Sequence, residues 1–383
     1  MRIGFDISQT GKTRAGCGFV AYSLIWAFAE LDSSNEYILY TSFGDNFWDS
    51  TTSVAGLGIK KSNFKPGFSL PDLAAARQFW RNPPKNVEEV LGSPDIIHSN
   101  NFYCPSFIRR AKIVYTLHDL AFLENPEHST EENRISCFNG VYNASLYADA
   151  IIAVSEYSRQ HFLRVFPHYP PDRIYTAHLG SRYQKNDRLE RPARLPEVVQ
   201  SDQFWLTVGT LEPRKNHRRL LEAYALLKQE NRQLLPIVHA GGTGWLMDDF
   251  SNYVRELGLE NDVLFLGYVD DVTLQWLYQN CFAFLYPSLF EGFGLPVLEA
   301  MSLGACVIAS HVTSIPEIVG DAGLLVDPKS CEDIAEKMAW LLQNPDERVL
   351  FRQKGLERAK RFDWRKTAQK TLEIYQKLFS SAV

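Results

Sequence analysis

Two glutamates, Glu291 and Glu299, stand in a segment whose glycines and proline predict a loop that leads into a helix. Pro296 suits the first turn of that helix, and Gly304 suits its end. Ionised carboxylates accept paired hydrogen bonds from neighbouring hydroxyls, which suits sugars and riboses. We therefore expect Glu291 in the loop and Glu299 in the first helical turn to face one pocket for a hydroxyl-rich ligand.

The same segment predicts a site for an anion. The backbone N–H groups of Phe293, Gly294 and Leu295 are expected at the N-terminus of the helix, where the helix dipole favours negative charge. Glycine also allows a ligand to approach the backbone closely. For either glutamate alone a simpler interpretation stays open, in which Glu299 only complements the dipole and Glu291 is solvated.

A basic pair, Arg214-Lys215, follows the predicted strand at 205–208 and precedes another helix. Cations oppose the dipole at a helix N-terminus, so their presence there indicates a bound anion such as a diphosphate. The alternative is a surface ion pair of this basic pair with Glu212. The sequence contains no Asp-x-Asp triplet of the kind that holds a catalytic cation. We therefore predict that the basic pair and the helix N-terminus, and no metal ion, bind the diphosphate.

The spacing of Glu291 and Glu299 resembles the glutamate pair of the family 4 retaining glycosyltransferases, which have the two-Rossmann GT-B fold. The resemblance is specific over residues 208–328 and extends more thinly over nearly the whole chain. It implies that Glu291 lies at the donor sugar, near its hydroxyls and anomeric centre, and that Glu299 holds the ribose hydroxyls of the nucleotide. It also implies that the backbone of residues 293–295 contacts sugar hydroxyls and phosphate.

The resemblance assigns roles to other positions as well. Arg214 and Lys215 match the residues that bind the leaving diphosphate, and the backbone at Val269 matches the position that contacts the base. His118, at the end of a strand, matches a histidine beside the donor sugar and the acceptor. Its implied role is a hydrogen bond to the sugar, because in a retaining front-face mechanism the departing phosphate takes the acceptor proton. A satisfied structural histidine is the alternative.

Gly16-Cys17-Gly18 is predicted to form a loop between the first strand and a helix at 19–30, where glycine permits a close approach to phosphate. A simple turn is the alternative. Family members often carry Gly-Gly-x-Gly-Arg-Tyr here, whereas this chain has Ala15 at the first glycine and no arginine after Gly18. This departure argues against a phosphate contact from the side chains of the loop. The glycine-rich stretch 241–245 is predicted to connect a strand to a helix.

Short apolar runs alternate with longer helical patterns in both halves of the chain. The runs are 3–6, 37–40, 95–98, 113–116, 151–154 and 174–177, then 205–208, 237–240, 263–266, 282–286, 306–309 and 324–326. Near-continuous apolar strands between helices imply parallel sheets covered on both faces. The predicted class is α/β, with two doubly wound Rossmann-like domains facing a central cleft.

The domains are predicted at 1–190 for the acceptor and at 200–363 for the nucleotide sugar. The polar segment 181–200 is interpreted as the linker, and the last helix, 364–383, is expected to pack back on the first domain. Residues 64–85, which are aromatic and basic, are either an acceptor or membrane-surface patch or a solvated helix with buried aromatic side chains.

The composition limits the classes of partner and the cellular location that we expect for the protein. The formal net charge is −5, which argues against nucleic-acid binding. The six cysteines are scattered, and no secretory signal or spanning segment is evident, so we expect a cytoplasmic enzyme that is soluble or peripheral at the inner face of the membrane.

The predicted function is metal-independent and cofactor-free transfer of a hexose from a nucleotide sugar to a hydroxyl of a growing or lipid-linked glycan. UDP-glucose is the favoured donor and GDP-mannose is the next. The alternatives are a nucleotide-sugar epimerase or glycan phosphorylase of the same architecture, and a non-catalytic module that only binds nucleotide sugars.

Overall fold

A computed structural model describes residues 1–380, except residues 13, 15, 47, 187, 231–233, 243 and 245–248. The chain divides into two compact units. The first contains Met1–Gly180 and Asp363–Val383, and the second contains Ser181–Phe362. The segment 181–200, interpreted above as a linker, lies in the second unit.

The first unit is built on a parallel sheet with the strand order β3-β2-β1-β4-β5-β6-β7. Its strands are β1 (Arg2–Asp6), β2 (Glu36–Tyr40), β3 (Phe64–Pro66), β4 (Ile96–Ser99), β5 (Lys112–Leu117), β6 (Ala150–Ala153) and β7 (Ile174–Thr176). Its helices are α1 (Gly16–Leu31), α2 (Val54–Leu57), α3 (Leu73–Arg81), α4 (Val87–Val90), α5 (Ala121–Glu124), α6 (Glu131–Tyr147) and α7 (Glu156–Val165), together with the C-terminal helix Trp364–Ser380.

The second unit is built on a parallel sheet with the strand order β10-β9-β8-β11-β12-β13. Its strands are β8 (Trp205–Val208), β9 (Ile237–Ala240), β10 (Val263–Phe265), β11 (Ala283–Tyr286), β12 (Val307–Ser310) and β13 (Leu324–Val326). Its helices are α8 (His217–Gln229), α9 (Phe250–Glu256), α10 (Asp271–Asn280), α11 (Leu295–Ser302), α12 (Ile315–Val319), α13 (Cys331–Gln343) and α14 (Pro345–Ala359). The C-terminal helix of the first unit is therefore α15.

The predicted fold class is confirmed, because every apolar run singled out in the sequence forms a strand to within one residue at each end. These runs are apolar throughout because helices cover both faces of each sheet. Along β2, Tyr37 and Leu39 belong to one core cluster, while Ile38 and Tyr40 belong to the other. The sequence missed β3, a three-residue edge strand that gives no alternating signal because Lys65 and Pro66 are exposed.

The helix predicted at 19–30 begins earlier, at Gly16, so Gly16 and Gly18 lie in its first turn and not in a loop. A Cβ atom on Gly18 would collide with the carbonyl oxygen of Gln9, whereas one on Gly16 would meet no atom. Gly18 is thus needed for close packing of the helix on the preceding segment, which explains its presence without a ligand.

In each sheet the strand order reverses beside the first strand of the unit. The reversal lies between β1 and β4 in the first unit and between β8 and β11 in the second. Ligands of open parallel sheets bind beyond the carboxyl ends of the strands at such points. The chain segments that leave these four strands therefore define where each unit can hold a ligand.

The helix α15 contributes Ala368, Ile374 and Tyr375 to the core of the first unit. The phenol of Tyr375 also hydrogen-bonds to Nδ1 of the buried His98 on β4, whose Nε2 lies 2.8 Å from Thr116 Oγ1. Burial, together with the nearby imidazole of His118, lowers the pKa of His98 to about 3. His98 is therefore a neutral hydrogen-bonding link between the sheet and the last helix.

We expect His98 to make the protein sensitive to acid. Its pKa in the folded chain lies below the ordinary value of 6.5, so between these values the unfolded chain binds one more proton. The stabilising contribution is complete above pH 6.5 and is lost as the pH falls toward about 3, at ~1.4 kcal/mol per pH unit. The substitution His98→Gln should flatten the pH dependence of urea unfolding in this window. The exposed His178→Gln is the matched control, and equal slopes for both variants would contradict the assignment.

Candidate functional site

The basic pair and the loop with Glu291 meet at the reversal point of the second sheet. Arg214 and Lys215 lie in a 3-10 turn, Pro213–Lys215, that follows β8. The residues after β11 bond to this turn, because Leu289 N and Ser288 Oγ donate to the carbonyl oxygen of Arg214 at 2.8 and 3.1 Å. Two segments distant in sequence are thus held together as one structure.

A buried ionic cluster forms where these segments meet. The guanidinium of Arg214 lies 2.9 Å from Glu291 Oε2 and 2.5 Å from Glu212 Oε1. The ammonium of Lys215 donates to Glu291 Oε1 at 2.8 Å and to the phenol of Tyr286 at 2.5 Å. Two cations and two carboxylates balance in formal charge, which is how buried ions are tolerated. The ion pair with Glu212, considered above as an alternative to ligand binding, is formed by Arg214 and is part of this cluster, where the carboxylate is buried and not at the surface.

The electrostatics of the cluster fix the charge of Glu291. Burial opposes ionisation of this carboxyl, but Arg214 and Lys215 outweigh it and hold its pKa at about 2. Burial, reinforced by Arg214, lowers the pKa of Lys215, and Glu291 partly restores it. Glu291 is therefore an anion at neutral pH, and it is suited to hold hydroxyl groups or a developing positive charge rather than to transfer protons.

The loop after Glu291 is held by two hydroxyls that the sequence did not reveal. Ser314 Oγ donates to the carbonyl oxygens of Glu291 and Phe293, both at 2.9 Å. Thr313 Oγ1 accepts from Glu291 N at 3.1 Å. Gly294, the N-cap of α11, has φ of +104°, and a Cβ atom there would collide with the side chain of Ile315. The backbone at 293–294 is therefore shaped by its surroundings and requires glycine.

The helix α11 begins at Leu295 with Pro296 in its first turn, as the sequence predicted. Glu299 lies in the second turn, not in the first as predicted, because the helix already begins at Leu295, directly after Gly294 in the αL conformation, and Glu299 is its fifth residue. The side chain of Glu299 is buried, so it is not a solvated complement to the dipole. Val297 N and Leu298 N donate to the carbonyl oxygen of Gly294 at 3.0 and 3.2 Å, and Pro296 has no N–H group, so an anion at this end of the helix would meet the backbone of residues 293–295.

Glu299 has a partner that sequence reasoning missed. Arg182 Nε donates to Glu299 Oε1 at 2.6 Å, and its guanidinium stacks on the ring of Tyr183 at 4.7 Å from the centroid. Tyr183 in turn donates to Asp271 Oδ1 at 2.6 Å. Burial raises the pKa of Glu299, and Arg182 counteracts this rise. Arg182 lies in a segment without periodicity. The only sequence signal for it was a cation beside an aromatic residue, Tyr183.

The reversal point of the first sheet carries a polar network around Asp6. The backbone N–H of Asn100 donates to Asp6 Oδ2 at 3.1 Å, and its side-chain amide donates to the carbonyl oxygen of Asp6 at 2.9 Å. Burial raises the pKa of Asp6 to about 6, although the hydrogen bonds from Ser8 and Asn100 oppose the rise. An aspartate at the carboxyl end of the first strand was the available sequence signal for this network.

His118 follows β5 and lies beside this network. Its Nε2 donates to the carbonyl oxygen of Asn100 at 2.8 Å, and its ring lies 5.9 Å from the ring of Phe102. Burial lowers its pKa, with the hydrogen bond to Asn100 acting in the opposite direction. The neutral imidazole therefore keeps Nδ1 as an acceptor, which is the atom able to take a hydrogen bond from a sugar hydroxyl.

The other predicted positions are placed as follows. Val269 is half-buried between β10 and α10, one residue before Asp270, the N-cap of α10. Gly16 and Gly18 open α1, as described above. Ala15, Thr243 and Trp245 lie outside the residues that the structure describes.

Comparison with known proteins gives matches to two family profiles. The profile "Glycosyl transferases group 1" matches residues 195–358, and "Glycosyltransferase Family 4" matches residues 16–181. O-antigen chain mannosyltransferase B of Escherichia coli is 39% identical over 289 residues, 74% of this chain and 74% of that protein. Serotype-specific mannosyltransferase WbdA of Escherichia coli is 31% identical over 290 residues, 71% of this chain but only 34% of WbdA.

Solved structures share the fold. Anabaena Alr3699/HepE in complex with UDP and glucose has a TM-score of 0.73 and 20% identity, covering 98% of this chain and all of that one. Sucrose-phosphate synthase from Thermosynechococcus elongatus has a TM-score of 0.75 and 20% identity, with full coverage of both chains. Within the described part of the chain, every helix is too short or too polar to cross a bilayer.

We expect Arg182 to be needed for the stability of the second unit. The substitution Arg182→Met leaves the carboxylate of Glu299 buried without its cation, which should cost about 3 kcal/mol of unfolding free energy at neutral pH. Because the pKa of Glu299 is already raised and should rise further, the variant should lose stability as the pH rises. Urea unfolding measures both effects.

A double-mutant cycle separates the pair from its surroundings. Adding Glu299→Gln to Arg182→Met should recover most of the loss, because no uncompensated charge then remains buried. The exposed Arg188→Met is the matched control. Losses that simply add in the double variant would show that the two side chains do not act as a pair.

Proposed function

Because the chain belongs to the group 1, family 4 glycosyltransferases and is a hexosyltransferase, we propose that it transfers a hexose from a nucleotide sugar to a glycan hydroxyl with retention at the anomeric carbon. The observation that carries this proposal is the buried cluster of Arg214, Lys215 and Glu291 at the reversal point of the second sheet. It places two cations and a fixed anion where an open parallel sheet binds its ligand.

The two cations are proposed to bind the diphosphate of the donor. Negative charge builds on the leaving diphosphate as the glycosidic bond breaks, and donors that are already oriented stabilise that charge. Two of the three donors of Lys215 bond to Glu291 and Tyr286, and the third can serve a phosphate oxygen. The N–H groups at the start of α11, with the backbone of residues 293–295, add a further anion site. No metal ion or cofactor is required by this arrangement.

Glu291 is proposed to hold the donor sugar. Its carboxylate is ionised and fixed by Arg214, Lys215 and Ser288, so it can accept hydrogen bonds from sugar hydroxyls and stabilise positive charge at the anomeric carbon. Glu299 is proposed to hold the ribose hydroxyls, with the backbone at Val269 contacting the base. His118 is proposed to bond to the sugar through Nδ1. Gly18 is required by the packing of α1 on the preceding segment, whereas at Gly16, where a Cβ atom would meet no neighbour, a close approach of the donor phosphate stays a proposal.

The relatives bear on the choice of donor. The two Escherichia coli relatives are both described as mannosyltransferases, which favours mannose, and hence GDP-mannose, over the UDP-glucose favoured by the sequence alone. UDP-glucose is the second candidate, because the fold neighbour HepE was solved with UDP and glucose. The acceptor is proposed to be a hydroxyl of a growing or lipid-linked polysaccharide, and the reaction is proposed to take place at the cytoplasmic side of a membrane.

The donor site is tested first by nucleotide binding. Calorimetry with GDP and UDP in the presence of EDTA should show micromolar binding of GDP, and Lys215→Ala should weaken it at least ~10-fold by removing one phosphate contact. Glu299→Ala should weaken it as well. The exposed Lys228→Ala, which loses an ion pair with Asp262 and a hydrogen bond to the carbonyl oxygen of Gly258, is the matched control. If neither nucleotide binds to the folded protein, the proposed donor site is wrong. If UDP binds selectively, UDP-glucose replaces GDP-mannose as the proposed donor.

The role of Glu291 is tested by Glu291→Gln. Hexose transfer should fall at least ~100-fold, because the fixed anion at the anomeric centre is lost. GDP should bind as tightly as before or more tightly, since one negative charge beside Arg214 and Lys215 has been removed. Transfer is measured by release of labelled nucleotide, with the exposed Glu260→Gln as control. Loss of transfer together with loss of GDP binding would indicate a structural role only.

A further inference from the structure

The first unit contains a cavity of about 860 Å³ that the proposed donor site does not use. Its walls come from α3, from α6, and from the segments that follow β2 and β4. Its volume lies within the usual range for small-molecule sites. Because β2 and β4 flank β1 in the sheet, the cavity lies by the carboxyl ends of strands next to the reversal point.

The lining combines aromatic rings with amide side chains. Phe102, Tyr103 and Phe107 are half-buried, so part of each side chain remains accessible to a ligand. Asn139 and Asn143 lie along one face of α6 and supply both donors and acceptors. Aromatic faces pack against the CH faces of a pyranose, and amides bond to its hydroxyls, so this mixture suits a saccharide.

The charges of the lining favour a neutral ligand. Arg81 lies 2.9 Å from Asp45, and Arg77 lies 4.0 Å from Glu132. With Glu131, the lining contains more carboxylates than guanidinium groups, and both of the latter already have carboxylate partners. A polyanionic chain would find little attraction here, whereas a neutral oligosaccharide could bond to groups of both signs.

One wall of the cavity depends on a glycine, because α6 lies very close to the backbone that follows β4. Gly140 on α6 packs against the backbone of residues 102–103, and a Cβ atom there would collide with the carbonyl of Phe102. The ring of Phe102, held in this way, lines the cavity and also packs against His118. Phe102 therefore contacts both the cavity and the histidine that is proposed to bond to the donor sugar.

We propose that this cavity binds a neutral oligosaccharide and, resting on the proposed function, that it holds sugar units of the acceptor chain away from the end that reacts. The two interpretations of residues 64–85 are then compatible. Trp80 is buried in the core, while Arg77 and Arg81 on the same helix reach the cavity. Affinity for the acceptor should increase with its number of sugar units until the cavity is filled.

The proposal is tested on the full chain with saccharides alone, without donor. Ligand-observed NMR should show that mannotetraose, a neutral probe, binds more tightly than mannose and more tightly than the anionic tetragalacturonate. The substitution Asn139→Trp fills the cavity from its exposed wall and should weaken mannotetraose binding at least ~10-fold. Phe138→Trp, at the neighbouring exposed position of α6 outside the lining, is the matched control. Asn139→Ala provides a milder variant if the tryptophan disturbs folding.

The outcomes separate this site from the donor site. Unchanged GDP binding with weakened mannotetraose binding in Asn139→Trp supports the cavity. Equal mannotetraose binding by Asn139→Trp, Asn139→Ala and the parent chain overturns it, as does a preference for the anionic probe. If neither nucleotide binds but mannotetraose binds through Asn139, the proposed transferase function fails while the saccharide site remains. If GDP binds and no saccharide does, only the cavity proposal fails.

Discussion

The carboxylate of Glu291, buried between a guanidinium and an ammonium, is the contact on which the second unit depends. It accepts from Lys215 and pairs with Arg214 on the segment after β8, and it accepts from Tyr286 and Ser288 at the end of β11. A buried carboxylate is costly unless every partner is present. The same contact therefore joins two strand ends and fixes the loop that leads into α11.

The equal number of cations and carboxylates in this cluster has a consequence for ligand binding. A site for a diphosphate needs concentrated positive charge, and such a site would be unstable if its cations were unpaired in the absence of ligand. Here Glu212 and Glu291 supply the compensation. In the proposed reaction the cations are already oriented when the donor arrives, so little reorganisation is needed at the moment of bond cleavage. The same four side chains therefore stabilise the folded site and keep its cations oriented for the proposed reaction.

The sequence predicted those parts of the fold and the site that leave a local signal. The parallel sheets were visible because strands covered on both faces are apolar throughout. The loop with Glu291 was visible because glycines and Pro296 mark a local change of backbone. The start of α11 was predicted closely enough to find the site, but Glu299 was placed one turn too early, because a sequence pattern does not fix the exact residue at which a helix begins.

Partners that are remote in sequence left no such signal. Arg182 lies in an irregular segment, and its pairing with Glu299 spans a separation that no periodicity can indicate. The hydroxyls of Thr313 and Ser314 look like ordinary turn residues until the structure shows them holding the loop. Gly16 and Gly18 were expected in a loop but lie in the first turn of α1, because glycine near a helix start is typical of phosphate loops and also, as at Gly18, of tight packing.

The return of α15 to the first unit has a consequence for the order in which the protein acquires its structure. The second unit is one uninterrupted stretch, 181–362, whereas the first is interrupted by it and contains residues from 363 onward. During synthesis, therefore, the second unit is fully available to fold while the first still lacks Tyr375, the partner of His98. Until α15 has been synthesised, the apolar surface that Ala368 and Ile374 cover stays exposed, so the core of the first unit can be completed only after the whole second unit has been made.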